Sequence, residues 1–92
     1  KSNMKRIQRQ SHNLKEAAKL NQIEIIYYIL SKESVIESEQ FQNIVKLTHM
    51  IIPSSITKIK NQAFNGCTSL KCVFFENPSS LTSIEKKAFN RC

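Results

Sequence analysis

Along the C-terminal two thirds of the chain, apolar positions fall at short spacings that recur. Leu70, Val73 and Phe75 lead into Pro78, and Leu47, Met50 and Ile52 lead into Pro53. The two-residue step from 73 to 75, and from 50 to 52, places both side chains on one face of a short strand. Proline ends each strand because it lacks an N–H for the ladder and fixes φ. The Ser-Ser after each proline suits a turn, since hydroxyls bond locally to the backbone. Ile56 and Ile59, then Leu81 and Ile84, supply a second inward pair, and Ala63-Phe64 and Ala88-Phe89 close the unit. Alanine permits close backbone approach, and phenylalanine fills the space between layers.

The recurrence extends to residue identity. Residues 56–67 and 81–92 share Thr57/Thr82, Ile59/Ile84, Ala63/Ala88, Phe64/Phe89, Asn65/Asn90 and Cys67/Cys92, all at an offset of 25. A more diverged copy lies upstream at an offset of 23, where Ile36, Phe41, Ile44 and Leu47 match Ile59, Phe64, Cys67 and Leu70. The two-residue difference is absorbed by Glu76-Asn77, inserted before Pro78, where a length change costs least. Asn65-Gly66 reads as a turn with positive φ. Its counterpart is Asn90-Arg91, and arginine avoids that region, so the asparagine is expected to supply the unusual backbone or a side-chain bond.

A period of roughly 20–29 residues with regularly spaced Leu and Ile is that of leucine-rich repeats. The run Cys67, Leu70, Val73, Phe75, Pro78, Leu81, Ile84, Ala88, Phe89, Cys92 closely resembles the BspA-type leucine-rich repeats. The likeness is good over residues 44–92 and looser over 35–43. Phe75 in place of an aliphatic residue, the Glu76-Asn77 insertion and Ile44 in place of cysteine depart from the pattern. The expected fold class is α/β: a leucine-rich-repeat solenoid fragment of short parallel strands, turns and short helical segments, with an N-terminal helical cap. Residues 31–92 should hold about two and a half to three repeats, truncated at the C-terminus. One repeat cannot cover its own apolar face, so stacking is obligatory.

Residues 1–30 form a basic flank or cap that should be partly helical. Asn13 with Glu16 makes a capping box for a helix over 13–22. The run 23–30 is β-branched and aromatic, which favours a strand. Continuation of the helix is the alternative, and periodicity does not separate the two.

Charge is uneven. Residues 1–22 carry six basic side chains against Glu16, a net +5, whereas residues 23–92 carry only +2 of the chain's +7. Such an arm could touch nucleic acid or an anionic surface, though a solvated flank is the commoner case. The longest apolar run, Ile25–Leu30, has six residues, far short of the roughly 20 that span a membrane. No signal-peptide pattern is visible, and Pro78 spoils the one Asn-x-Ser sequon, at Asn77.

Candidate chemistry is sparse. Cys67 and Cys92 occupy equivalent places, and a layer spacing of about 4.8 Å lies within disulfide range. Their side chains would point in parallel, however, so two small buried residues are expected instead. Cys72 should face outward. Zinc needs a second ligand pair beside one such as Cys67-x₄-Cys72, and the two histidines lie far off in sequence, so no metal or other cofactor is expected. The chain has no aspartate and a single glycine, leaving no acid triad orienter but glutamate and no phosphate-cradling loop. No catalytic residue is assigned.

What remains is a face. The outward strand positions are Thr48, His49 and Ile51, then Lys71, Cys72 and Phe74. Two large apolar groups where polar ones are usual, one beside a lysine, suit a protein-binding surface. The expected role is a non-enzymatic protein–protein interaction scaffold, monomeric, with a protein and not nucleic acid as its partner. The resemblance implies adhesion or surface recognition at the cell surface or after secretion. The rival reading is nucleic-acid or anionic-surface binding through the basic arm.

Overall fold

Two parallel ladders organise the molecule. The computed structural model describes residues 14–92. Helices α1 (Leu14–Lys19) and α2 (Ile23–Leu30) come first, followed by β1 (Val35–Ile36), β2 (His49–Ile52), β3 (Lys58–Ile59), β4 (Cys72–Phe75) and β5 (Ser83–Ile84). Strands β1, β3 and β5 form one parallel sheet in that order, and β2 pairs with β4 in a second.

The register reproduces both sequence offsets. Ile36 faces Ile59 and Met50 faces Val73, 23 residues on, while Ile59 faces Ile84, 25 residues on. The change of offset falls between β4 and β5, where Glu76-Asn77 is inserted. A third line of backbone bonds ties the closing turns together. Phe41 N–H donates to Ala63 (2.8 Å), Phe64 to Ala88 (2.7 Å), Asn43 to Asn65 (2.7 Å) and Gly66 to Asn90 (2.9 Å). The first and second layers are thus hydrogen-bonded at three places around the circuit, and the second and third at two.

Inside this frame lie the repeated apolar residues. Ile36, Phe41, Leu47, Met50, Ile56, Ile59, Phe64 and Cys67 are all fully buried. The rings of Phe41 and Phe64 stack 4.9 Å apart at 3°, and those of Phe64 and Phe89 5.0 Å apart at 2°. That spacing equals the distance between hydrogen-bonded strands, so one ring per layer forms a continuous column. Each buried ring contributes about 1.5–3 kcal/mol, and offset stacking adds about 0.5–1.5 kcal/mol per pair. Phe75 shares the inward face with Ile52, its register partner, yet it is 42% exposed. β4 is an edge strand that pairs only with β2, so a side chain pointing inward from it is covered only on one side.

Three expectations require correction or relocation. Residues 23–30 form a helix and not a strand. Ile26 and Leu30, four apart, are buried on one stripe against the core, which α1 joins through Ala17 and Ala18. The β-propensity of Ile and Tyr is a weak local preference, and packing against β2 overrides it. The helix over 13–22 is realised as Leu14–Lys19, and Asn13 of the expected capping box lies outside the described residues. The closing turn places positive φ at Asn43 (61°), Gly66 (80°) and Arg91 (63°), the residue after the asparagine in the later copies. Arginine therefore does adopt the left-handed conformation, and the asparagine supplies the side-chain bond instead, Asn90 Nδ2 donating to Asn65 Oδ1 at 3.1 Å. The repeated layer-to-layer bonds fix the turn, and the residue type yields to them.

Candidate interaction face

Because Met50 and Ile52 are buried, the intervening residues of β2 turn the other way, and the register carries this to β4. His49 lies beside Cys72, and Ile51 beside Phe74. His49, Ile51 and Cys72 are half-buried, whereas Phe74 is 59% exposed. Lys71, just before β4, is exposed, and its N–H donates to the Thr48 carbonyl at 2.8 Å.

Two side chains from the helical segment pin the ends of this face. Asn21, in the left-handed conformation between α1 and α2 (φ 56°), grips Thr48 twice. Its Nδ2 donates to Thr48 Oγ1 at 2.9 Å, and its Oδ1 accepts the Thr48 N–H at 3.1 Å. Thr48 Oγ1 in turn lies 2.8 Å from His49 Nδ1, which orients the imidazole. At the other end, Tyr27 Oη donates to Glu76 Oε2 at 2.5 Å, and the Ser54 N–H donates to Oε1 at 2.7 Å. The Tyr27 hydroxyl and the Ser54 N–H hold the Glu76 carboxyl below its ordinary pKa. The same bond raises that of Tyr27, with burial adding to it.

The cysteines are free thiols. Cys67 Sγ donates to the Phe41 carbonyl at 2.9 Å and Cys92 Sγ to that of Phe64 at 3.2 Å, one thiol per layer reaching to the layer before. Burial pushes the Cys67 thiol up to about 11.

Residues 34–92 match the family model described as BspA type leucine rich repeat region (6 copies). The chain belongs to the BspA-type leucine-rich-repeat family. Neither a curated protein nor a solved structure matches it. Cys67 is thus a buried spacer hydrogen-bonded to the preceding layer, Cys92 repeats the bond from an exposed position, and the Ala-Phe before each builds the aromatic column.

Of the six face residues read from the sequence, the repeat geometry brings His49, Ile51, Cys72 and Phe74 onto one surface. Lys71 stands exposed at its edge. Thr48 is engaged by Asn21 and is a joint of the structure as much as a contact surface. Sequence reasoning missed Asn21, Tyr27 and Glu76 as structural partners of this face. The only available signals were an asparagine between two apolar runs and a carboxylate in the insertion. Among the described residues, no helix is long and apolar enough to cross a membrane, and no group of three or more His, Cys, Asp or Glu side chains could hold a metal ion.

Proposed function

We propose that this chain is a protein-interaction scaffold: a leucine-rich-repeat solenoid, capped at its N-terminal end by α1 and α2, that binds a protein partner on the outward face of β2 and β4. Phe74 carries the reading. A solvent-exposed phenylalanine next to Ile51, on strands held in fixed register, is an anchor of the kind that dominates protein interfaces. His49, Cys72 and Lys71 give a polar surround, and Thr48, held by Asn21, fixes the near end. The scaffold works as a monomer and performs no catalytic step. Adhesion or surface recognition is the setting the family suggests, and the partner is a protein and not nucleic acid.

The test compares wild type with a double variant, Ile51→Ala with Phe74→Ala, as bait in quantitative affinity capture from cell lysate. Both side chains lie outside the core, so the fold persists. A partner retained by wild type should fall by about tenfold or more on the variant, as for loss of an interface anchor. Equal retention of every captured protein would move the binding surface elsewhere.

A further inference from the structure

A second surface combines exposed apolar groups with cations. Where α1 ends, Leu20 is 59% exposed, and on the turn after Asn43, Val45 is 54% exposed. With Ile44 they line a concavity of about 330 Å³, flanked by Lys19 and Lys46. The repeat does not call for these residues. At the equivalent positions of the next layer, Val45 becomes Thr68 and Lys46 becomes Ser69, so the apolar and cationic pair is peculiar to the layer beside α1. None of the residues lining the concavity is acidic. Glu16 is the one carboxylate on the same helix, a turn back. Residues 1–22, the stretch of sequence that includes Lys19 and Leu20, carry a net +5.

We propose that this corner docks the protein onto an anionic lipid bilayer, with Leu20 and Val45 entering the acyl boundary and Lys19 and Lys46 meeting acidic headgroups. Exposed apolar side chains flanked by lysines suit interfacial binding, because the lysine stems can lie along apolar surface while the ammonium groups stay with the headgroups. The net positive charge of the chain, +7, adds long-range attraction toward an anionic membrane. Nucleic acid would use the lysines but has no use for exposed Leu20 and Val45, which favours lipid over a phosphodiester backbone.

The experiment is sedimentation of the full chain with vesicles of phosphatidylcholine, with and without phosphatidylserine, beside a labelled duplex DNA. Binding should require phosphatidylserine and weaken with salt. Leu20→Ser with Val45→Ser should weaken it at least about tenfold, since two apolar groups no longer enter the boundary. Lys19→Glu with Lys46→Glu should abolish the phosphatidylserine dependence, and Phe74→Ala should change nothing, which separates this surface from the protein-binding one. Circular dichroism checks that the exposed substitutions leave the fold intact. Equal binding to both vesicle types, indifference to the Leu20 and Val45 changes, or binding to DNA without binding to vesicles would each overturn the proposal.

Discussion

Tyr27 on α2 and Glu76 after β4 meet through a 2.5 Å hydrogen bond although 49 positions separate them. Glu76 is half of the two-residue insertion that changes the repeat offset from 23 to 25, so the insertion joins the helical segment to the second strand layer. Because the acceptor is a carboxylate, the bond is charge-assisted and stronger than one between neutral groups. The same carboxylate also holds Ser54, at the turn after β2.

Protonation should undo that link. The folded-state pKa of Glu76 lies below its ordinary value, so the stabilisation is present above the unfolded-state pKa and is lost as pH falls through the folded one. Thermal midpoints of wild type and Glu76→Gln should therefore differ at neutral pH and converge under acid conditions, below the ordinary carboxylate range. A difference that persists unchanged into acid would separate Glu76 charge from the docking of α2.

Asn21 makes a matching contact at the other end of the face. Asn21→Ala removes both bonds to Thr48 and leaves a part-buried N–H without its partner, a loss of about 1–3 kcal/mol. Asn21→Gly keeps the left-handed backbone but also loses the amide, so it should be nearly as damaging. Urea denaturation of the two variants measures this, and a glycine variant as stable as wild type would reduce Asn21 to a backbone role.

Cys67 should be chemically silent in the folded protein. It is fully buried and its thiol is raised to about 11, so thiolate is scarce near neutral pH. Brief alkylation with iodoacetamide, read by peptide mass spectrometry, should modify exposed Cys92 and half-buried Cys72 well before Cys67. Denaturant should make the three equal.

Much of this architecture is legible in the sequence because it repeats. Ile36, Ile59 and Ile84, or Phe41, Phe64 and Phe89, each announce one position three times, and the strand register follows from the offsets. The outward face is legible for the same reason, by two-residue alternation from Met50 and Ile52. What occurs once is not. The run 23–30 has strand-forming residues, yet the surface it meets on β2 selects a helix. Arg91 adopts a positive φ because the turn is copied from layers whose residues are Asn43 and Gly66. Contacts such as Asn21 to Thr48 join segments far apart in sequence and leave no periodic trace.

The closing turn makes a further prediction. At Gly66 an added Cβ would stand 2.1 Å from Asn43 Oδ1, in a backbone with φ 80°. Gly66→Ala should cost about 1–2 kcal/mol from the left-handed conformation alone, with any shift of Asn43 added to it. Arg91→Asn should be neutral or slightly stabilising, since asparagine tolerates that conformation better. Both effects are measurable as changes in denaturation midpoint.

The aromatic column offers the most direct test of the layered arrangement. With ring-labelled phenylalanine, assigned by Phe→Leu substitution at each site, nuclear Overhauser contacts should link Phe41 to Phe64 and Phe64 to Phe89, with none between Phe41 and Phe89. Phe64→Leu should remove both links at once. Rings without mutual contacts, or a direct contact between Phe41 and Phe89, would contradict the stacking of successive repeats on which every other conclusion rests.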